Sequence, residues 1–67
     1  MKLDAQKLLL GMANACITIT ELAEKANVSR PALTRLASGK SNPKPATLGK
    51  IAKALGVKVE DLIEGGE

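Results

Sequence analysis

Two helix signals abut between residues 18 and 38, with almost no chain left between them. Thr18-Ile19-Thr20-Glu21 has the Thr-x-x-Glu form of a capping box, in which a hydroxyl and a carboxylate satisfy two otherwise free amides. Leu22, Ala23 and Ala26 then share one helical face, and Asn27 suits a left-handed helix end. Ser29 is already the next N-cap. The spacing predicts a helix from Arg30 to Ser38, with Pro31 in its first turn, where no intrahelical N–H is needed, and Gly39 as its stop.

Two short helices joined through Asn27-Val28 make a helix-turn-helix arrangement spanning about residues 18–38. Counted from Ile19, the residues Leu22, Ala26, Val28, Leu33 and Leu36 occupy positions 4, 8, 10, 15 and 18, which must be apolar for the helices to cross steeply. Ala23, at position 5, is small enough to let them approach. Three further helices are expected. The first runs from about Asp4 to Ala15, with Asp4 as N-cap, Leu3 and Leu8 as a hydrophobic staple, and Ala5, Leu8, Leu9, Met12 and Ala13 as its apolar residues. The fourth covers Pro45 to Leu55, faces Leu48, Ile51, Ala52 and Leu55 inward, and stops at Gly56. A fifth covers Val59 to Ile63, and residues 65–67 are expected to fray.

Composition narrows the chemistry. The 67 residues contain no Phe, Tyr, Trp or His and a single Cys. This length allows one domain, residues 1–67, with a marginal core. Ten leucines and ten alanines favour an all-α fold. The lone thiol excludes an internal disulfide and fits a cytoplasmic setting better than an oxidising one. Without histidine, zinc sites of the usual kind and His-based catalytic groups are excluded. Cys16 reads as a small core residue, Glu21 as a cap and Glu24 as a solvated position, so neither an enzyme nor a cofactor is expected. The apolar runs are far too short for a membrane span, and no signal-peptide stretch opens the chain.

Charge is uneven. Residues 25–58 carry eight Lys or Arg and no acid, whereas the flanking segments are acidic on balance. Such a middle suits a polyanionic partner, nucleic acid first. On a helical wheel of about 100° per residue, Arg30, Thr34, Ser38, Pro31 and Arg35 fall on one side of the third helix, opposite Ala32, Leu33 and Leu36. An outward face of two arginines, two hydroxyls and a proline suits the major groove, where Arg donates to guanine O6 and N7. Arg30, Pro31, Thr34 and Arg35 are therefore the candidate base-reading residues, Arg35 being placed to reach a base, a phosphate or only solvent. Arg30 also sits at the helix end that disfavours a cation, a small sacrifice of stability consistent with binding. Phosphate contacts are expected on either side: Thr18, Ile19 and Thr20 at the start of the second helix, and Ser38, Lys40, Ser41, Asn42 and Lys44 around the loop after the third. Lys50, Lys53 and Lys58 read as a solvated face.

The run Glu21-Leu22-Ala23-Glu24-Lys25-Ala26-Asn27-Val28-Ser29-Arg30 resembles the motif of phage repressor, Cro and Xre-type DNA-binding proteins. So do Gly39-Lys40, Pro43 and the stretch from Thr47 to Val57. The resemblance spans about residues 5–64. It implies a compact five-helix lambda repressor-like domain that binds operator DNA as a homodimer and regulates transcription, as a repressor. It further implies a dimer contact through Val57, Val59, Leu62 or Ile63. Three departures stand out. Ile19 replaces the glutamine that often holds phosphate, and Asn27 replaces the turn glycine. Met12 and Ala37 replace an Arg–Glu pair, so an apolar contact is expected where a buried ion pair would be.

Two function classes compete. One is a sequence-specific regulator of double-stranded DNA acting on a near-palindromic operator. The other is a protein-interaction module, such as an antitoxin or adaptor, on the same fold. The polar outward face of the third helix favours DNA, since a protein partner would favour an apolar one. The chain leaves no room after Glu67 for a toxin-binding segment, and no ligand-sensing domain is attached, so control through concentration-dependent dimerisation, or by a separate protein partner, is expected.

Overall fold

Asp4 starts the first helix by accepting the amides of Gln6 and Lys7 at 3.0 and 3.3 Å. The computed structural model describes residues 2–39 and 42–64. Among these, four α-helices follow in order: α1 (Ala5–Ala15), α2 (Ile19–Ala26), α3 (Arg30–Ala37) and α4 (Pro45–Leu55). A 3-10 turn, Val59–Asp61, comes last.

Three of the helices end alike. Cys16, Asn27 and Gly56 each adopt the left-handed conformation directly after α1, α2 and α4. The next amide then reaches back five residues: Ile17 to the Met12 carbonyl at 3.1 Å, Val28 to Ala23 at 3.0 Å, and Val57 to Ala52 at 3.0 Å. This closes carbonyls that would otherwise be stranded. Ile17, Val28 and Val57 also turn back onto the core, which fixes each exit direction. Cys16 itself is exposed, not a core residue as its type suggested. Its left-handed backbone turns the thiol outward while Ile17 takes the inward place.

The core is wholly apolar: no buried residue among those described is polar or charged. Leu8, Leu22, Leu33, Leu48, Ile51 and Leu62 are fully enclosed. Helix α2 packs on both α3 and α4, and α1 lies across the same pair. Leu9 and Ala13, expected on the inner face of α1, are exposed. With Leu8 and Met12 turned inward at i and i+4, residues one position further on point about 100° away. Met12 is buried, and Ala37 is half-buried against the same core, so neither is fully exposed.

The expected fifth helix is the main correction to the fold. Only the 3-10 turn forms, because the residues after it pair with the N-terminus instead. Leu3 and Ile63 make an antiparallel bridge. The Asp4 amide donates to the Leu62 carbonyl, and the Glu64 amide to the Lys2 carbonyl, both at 2.8 Å. The Lys7 ammonium adds a bond to the Ile63 carbonyl at 3.0 Å. These bonds take backbone groups that a longer helix would need. They also bring Leu3 and Leu62 into the core, at 3% and 1% exposure. The expected fraying at 65–67 lies outside the described residues.

Candidate nucleic-acid interface

Helix α3 is split lengthwise into two chemistries. Ser29 Oγ starts it by accepting the Ala32 amide at 3.3 Å, and Pro31 follows within the first turn. Leu33 and Leu36 are buried. Arg30, Pro31, Thr34, Arg35 and Ser38 are all exposed and together line one open depression of about 570 Å³. The one departure from the wheel is Ala32, which is exposed. It lies at the edge of the apolar arc, where a methyl group is too short to reach the core.

Two guanidinium groups with a hydroxyl between them give this face a dense set of hydrogen-bond donors. Each guanidinium carries five N–H donors in a fixed fork, a match for bidentate acceptors such as guanine O6 and N7. No acid occupies the first turn of α3, so the positive helix end and Arg30 point the same sign outward.

The start of α2 offers a second group of donors. The Thr18 amide donates to Glu21 Oε1 at 3.0 Å, the Glu21 amide to Thr18 Oγ1 at 3.2 Å, and the Leu22 amide to the Thr18 carbonyl at 2.9 Å. The capping box thus uses the amides on either side of Ile19 and Thr20. The Ile19 and Thr20 amides make none of these bonds and open from the helix end. Thr18 and Thr20 are exposed, while Ile19 is half-buried against the core. The Glu21 carboxyl is held below its ordinary value by the Thr18 amide first and the Thr18 hydroxyl second. Slight desolvation opposes this, and Lys25 adds to it. Glu21 is therefore ionised at neutral pH.

Beyond α3, Asn42 and Lys44 are exposed. Lys44 precedes α4 without a side-chain capping bond. Lys40 and Ser41 lie outside the described residues. Ser38 differs from the other hydroxyls, because its Oγ donates to the Arg35 carbonyl at 2.7 Å. Its proton is committed, so a phosphate would have to displace that bond.

Two arrangements escape sequence reasoning. Lys25, Lys50 and Lys53 surround an open depression of about 480 Å³ floored by Ala26 and Ala54. The three-residue spacing of Lys50 and Lys53 already puts them on one helix face, but only the packing of α2 on α4 adds Lys25. Among the residues expected to form a dimer contact, Leu62 is corrected: it is enclosed in the protomer's own core, at 1% exposure. Val57, Val59 and Ile63 are half-buried and keep an accessible side.

Residues 17–62, most of the chain and the whole two-helix unit, match the helix-turn-helix family model HTH_3. The chain belongs to the HTH_3 helix-turn-helix family. This HTH_3 chain is 37% identical over 51 residues to the HTH-type transcriptional regulator DdrOP3 of Deinococcus deserti. The match takes in 76% of this chain but 40% of that regulator. Among solved structures it resembles the SinR protein/SinI protein complex, with a TM-score of 0.85 and 27% identity, over 91% of this chain and 60% of that one. It also resembles part of Streptomyces albus HEPD, solved with 2-hydroxyethylphosphonate and Fe(II) bound. There the TM-score is 0.81 and identity 29%, over 88% of this chain but only 13% of that one. The HTH_3 chain has no group of three His, Cys, Asp or Glu placed to hold a metal among its described residues. None of its described helices is long and apolar enough to cross a membrane.

Proposed function

We propose that this HTH_3 chain is a sequence-specific repressor that binds double-stranded DNA as a homodimer and inserts α3 into the major groove of a near-palindromic operator. The observation that carries this reading is the outward face of α3. Arg30, Pro31, Thr34 and Arg35 are exposed together while Leu33 and Leu36 anchor the opposite face. A helix held by its apolar side and free on its donor-rich side can enter a groove about 12 Å wide without disturbing the core.

In this reading Arg30, at the N-terminal end of α3, contacts a base edge, and Arg35 reads one turn further along. Thr34 offers a hydroxyl and a methyl to the floor of the groove, and Pro31 supplies apolar contact only. The amides of Ile19 and Thr20, the Thr18 hydroxyl, Asn42 and Lys44 hold phosphates on either side, together with Lys40, Ser41 and a reoriented Ser38. These contacts set register and strength but carry no sequence preference. Val57, Val59 and Ile63 supply the contact between protomers.

Selection of bound duplexes from a random pool at moderate salt tests the reading. Enrichment of paired half-sites about one helical turn apart is the expected result. Binding without enrichment, but with steep salt dependence, would reduce the protein to a non-specific DNA binder. No binding at all would move the function to a protein partner.

A further inference from the structure

Leu9 and Leu10 are the large apolar side chains left exposed among the described residues, at 51% and 58%. Leu10 lies on the wall of a groove of about 360 Å³ that runs between α1 and the terminal 3-10 turn. Lys7, one turn before Leu10, stands on the same α1 wall, while Val57 and Glu60 come from the other side. The Lys7 ammonium is held in place by its bond to the Ile63 carbonyl, which uses one of its three donors.

We propose that this groove is where a second copy of the chain docks, with Leu10 of each protomer seated against Val57 of the other and Lys7 facing the partner's acidic wall at Glu60. The charge pattern selects the occupant. A uniformly basic partner would meet Lys7, and a uniformly acidic one would meet Glu60 and Asp61. A patch with a cation and a leucine on one wall, and carboxylates with Val57 on the other, complements a copy of itself rotated by a two-fold axis, because the rotation sets each wall against its opposite. The patch is also continuous with the proposed dimer contact, since Val57 belongs to both. The inference rests on the homodimer reading and adds α1 to its interface.

Sedimentation equilibrium with interference optics, run on the free protein and on its selected duplex, tests the proposal. L10E should raise the dimer dissociation constant by at least about thirty-fold, the loss typical of a central interface residue. E60K should raise it by about tenfold, and adding K7E to E60K should bring it back to within about threefold. Helical circular dichroism equal to the wild type shows that each variant is folded. A wild-type dimer that is indifferent to L10E and E60K but broken by V59K would overturn the α1 groove and leave the homodimer standing. A protein that stays monomeric both free and on DNA would overturn both.

Discussion

Thr18 and Glu21 satisfy each other across the first turn of α2, the amide of each donating to the side chain of the other at 3.0 and 3.2 Å. Thr18→Ala should therefore cost about 1 kcal/mol, the usual worth of an N-cap. Hydrogen bonds from Thr18 hold the Glu21 carboxyl below its ordinary value, so its ionised form favours the folded state. That contribution is complete above the unfolded-state value and disappears as pH falls through the lower folded-state one. Glu21→Gln removes this titration. Melting curves between about pH 6 and pH 3 should show a smaller loss of Tm on acidification in the variant than in the wild type.

Arg30 and Lys44 should separate by the kind of binding they lose. Arg30→Ala should cost roughly 1–3 kcal/mol on the preferred duplex and relax the preference at one base. Its Tm should not fall, because the substitution removes a cation from the positive end of α3. Lys44→Ala should weaken all duplexes nearly equally and lower the salt slope by about one. Titrations of both variants on the selected and a scrambled duplex check this. If Arg30→Ala left affinity and base preference unchanged, α3 would not be the reading helix.

Leu62 should behave as a core residue, not an interface one. It is 1% exposed, and truncating such a leucine removes roughly 2–5 kcal/mol. A chain of 67 residues has little stability to spare, so Leu62→Ala should unfold at markedly lower denaturant or be largely unfolded at 25 °C. Urea unfolding followed by circular dichroism measures the loss. Ile63→Ala, at a half-buried position, should lose clearly less.

Cys16 and Gly56 share a backbone conformation, with φ of 54° and 73°, but differ in what it costs them. Cys16→Gly should raise stability by about 0.5–1 kcal/mol, as relief of left-handed strain exceeds the added freedom of the unfolded chain. Gly56→Ala should lower it by about 1 kcal/mol, although nothing within 4 Å obstructs the added methyl. The exposed Cys16 thiol should react with a disulfide reagent in the native protein without prior unfolding. Protection of that thiol would return Cys16 to the core.

Much of the fold is legible because its signals act over a few residues. Asp4, Thr18 and Ser29 each cap the helix that follows, and Asn27 and Gly56 end α2 and α4, as their chemistry requires. The donor-rich face of α3 is equally local, since helical periodicity alone separates Arg30, Thr34 and Arg35 from Leu33 and Leu36. Ala32 and Leu9 mark the limit of that reasoning. Periodicity gives a direction around the helix axis but not how far the neighbouring helices extend around it.

By itself, the sequence determined where α1 to α4 begin and where α2 and α4 end, which side of α3 carries its arginines, and that no histidine or disulfide chemistry is available. Each follows from residue type and from spacings of about four residues or fewer. Only the tertiary structure decided that Val59–Asp61 stops as a 3-10 turn, that Leu62 belongs to the core, and that Lys25 joins Lys50 and Lys53. The fate of the last element turns on Leu3, Asp4 and Lys7, whose partners lie at the opposite end of the chain. Backbone groups there can close a helix or pair with the N-terminus, and a local pattern cannot show which distant partner is within reach.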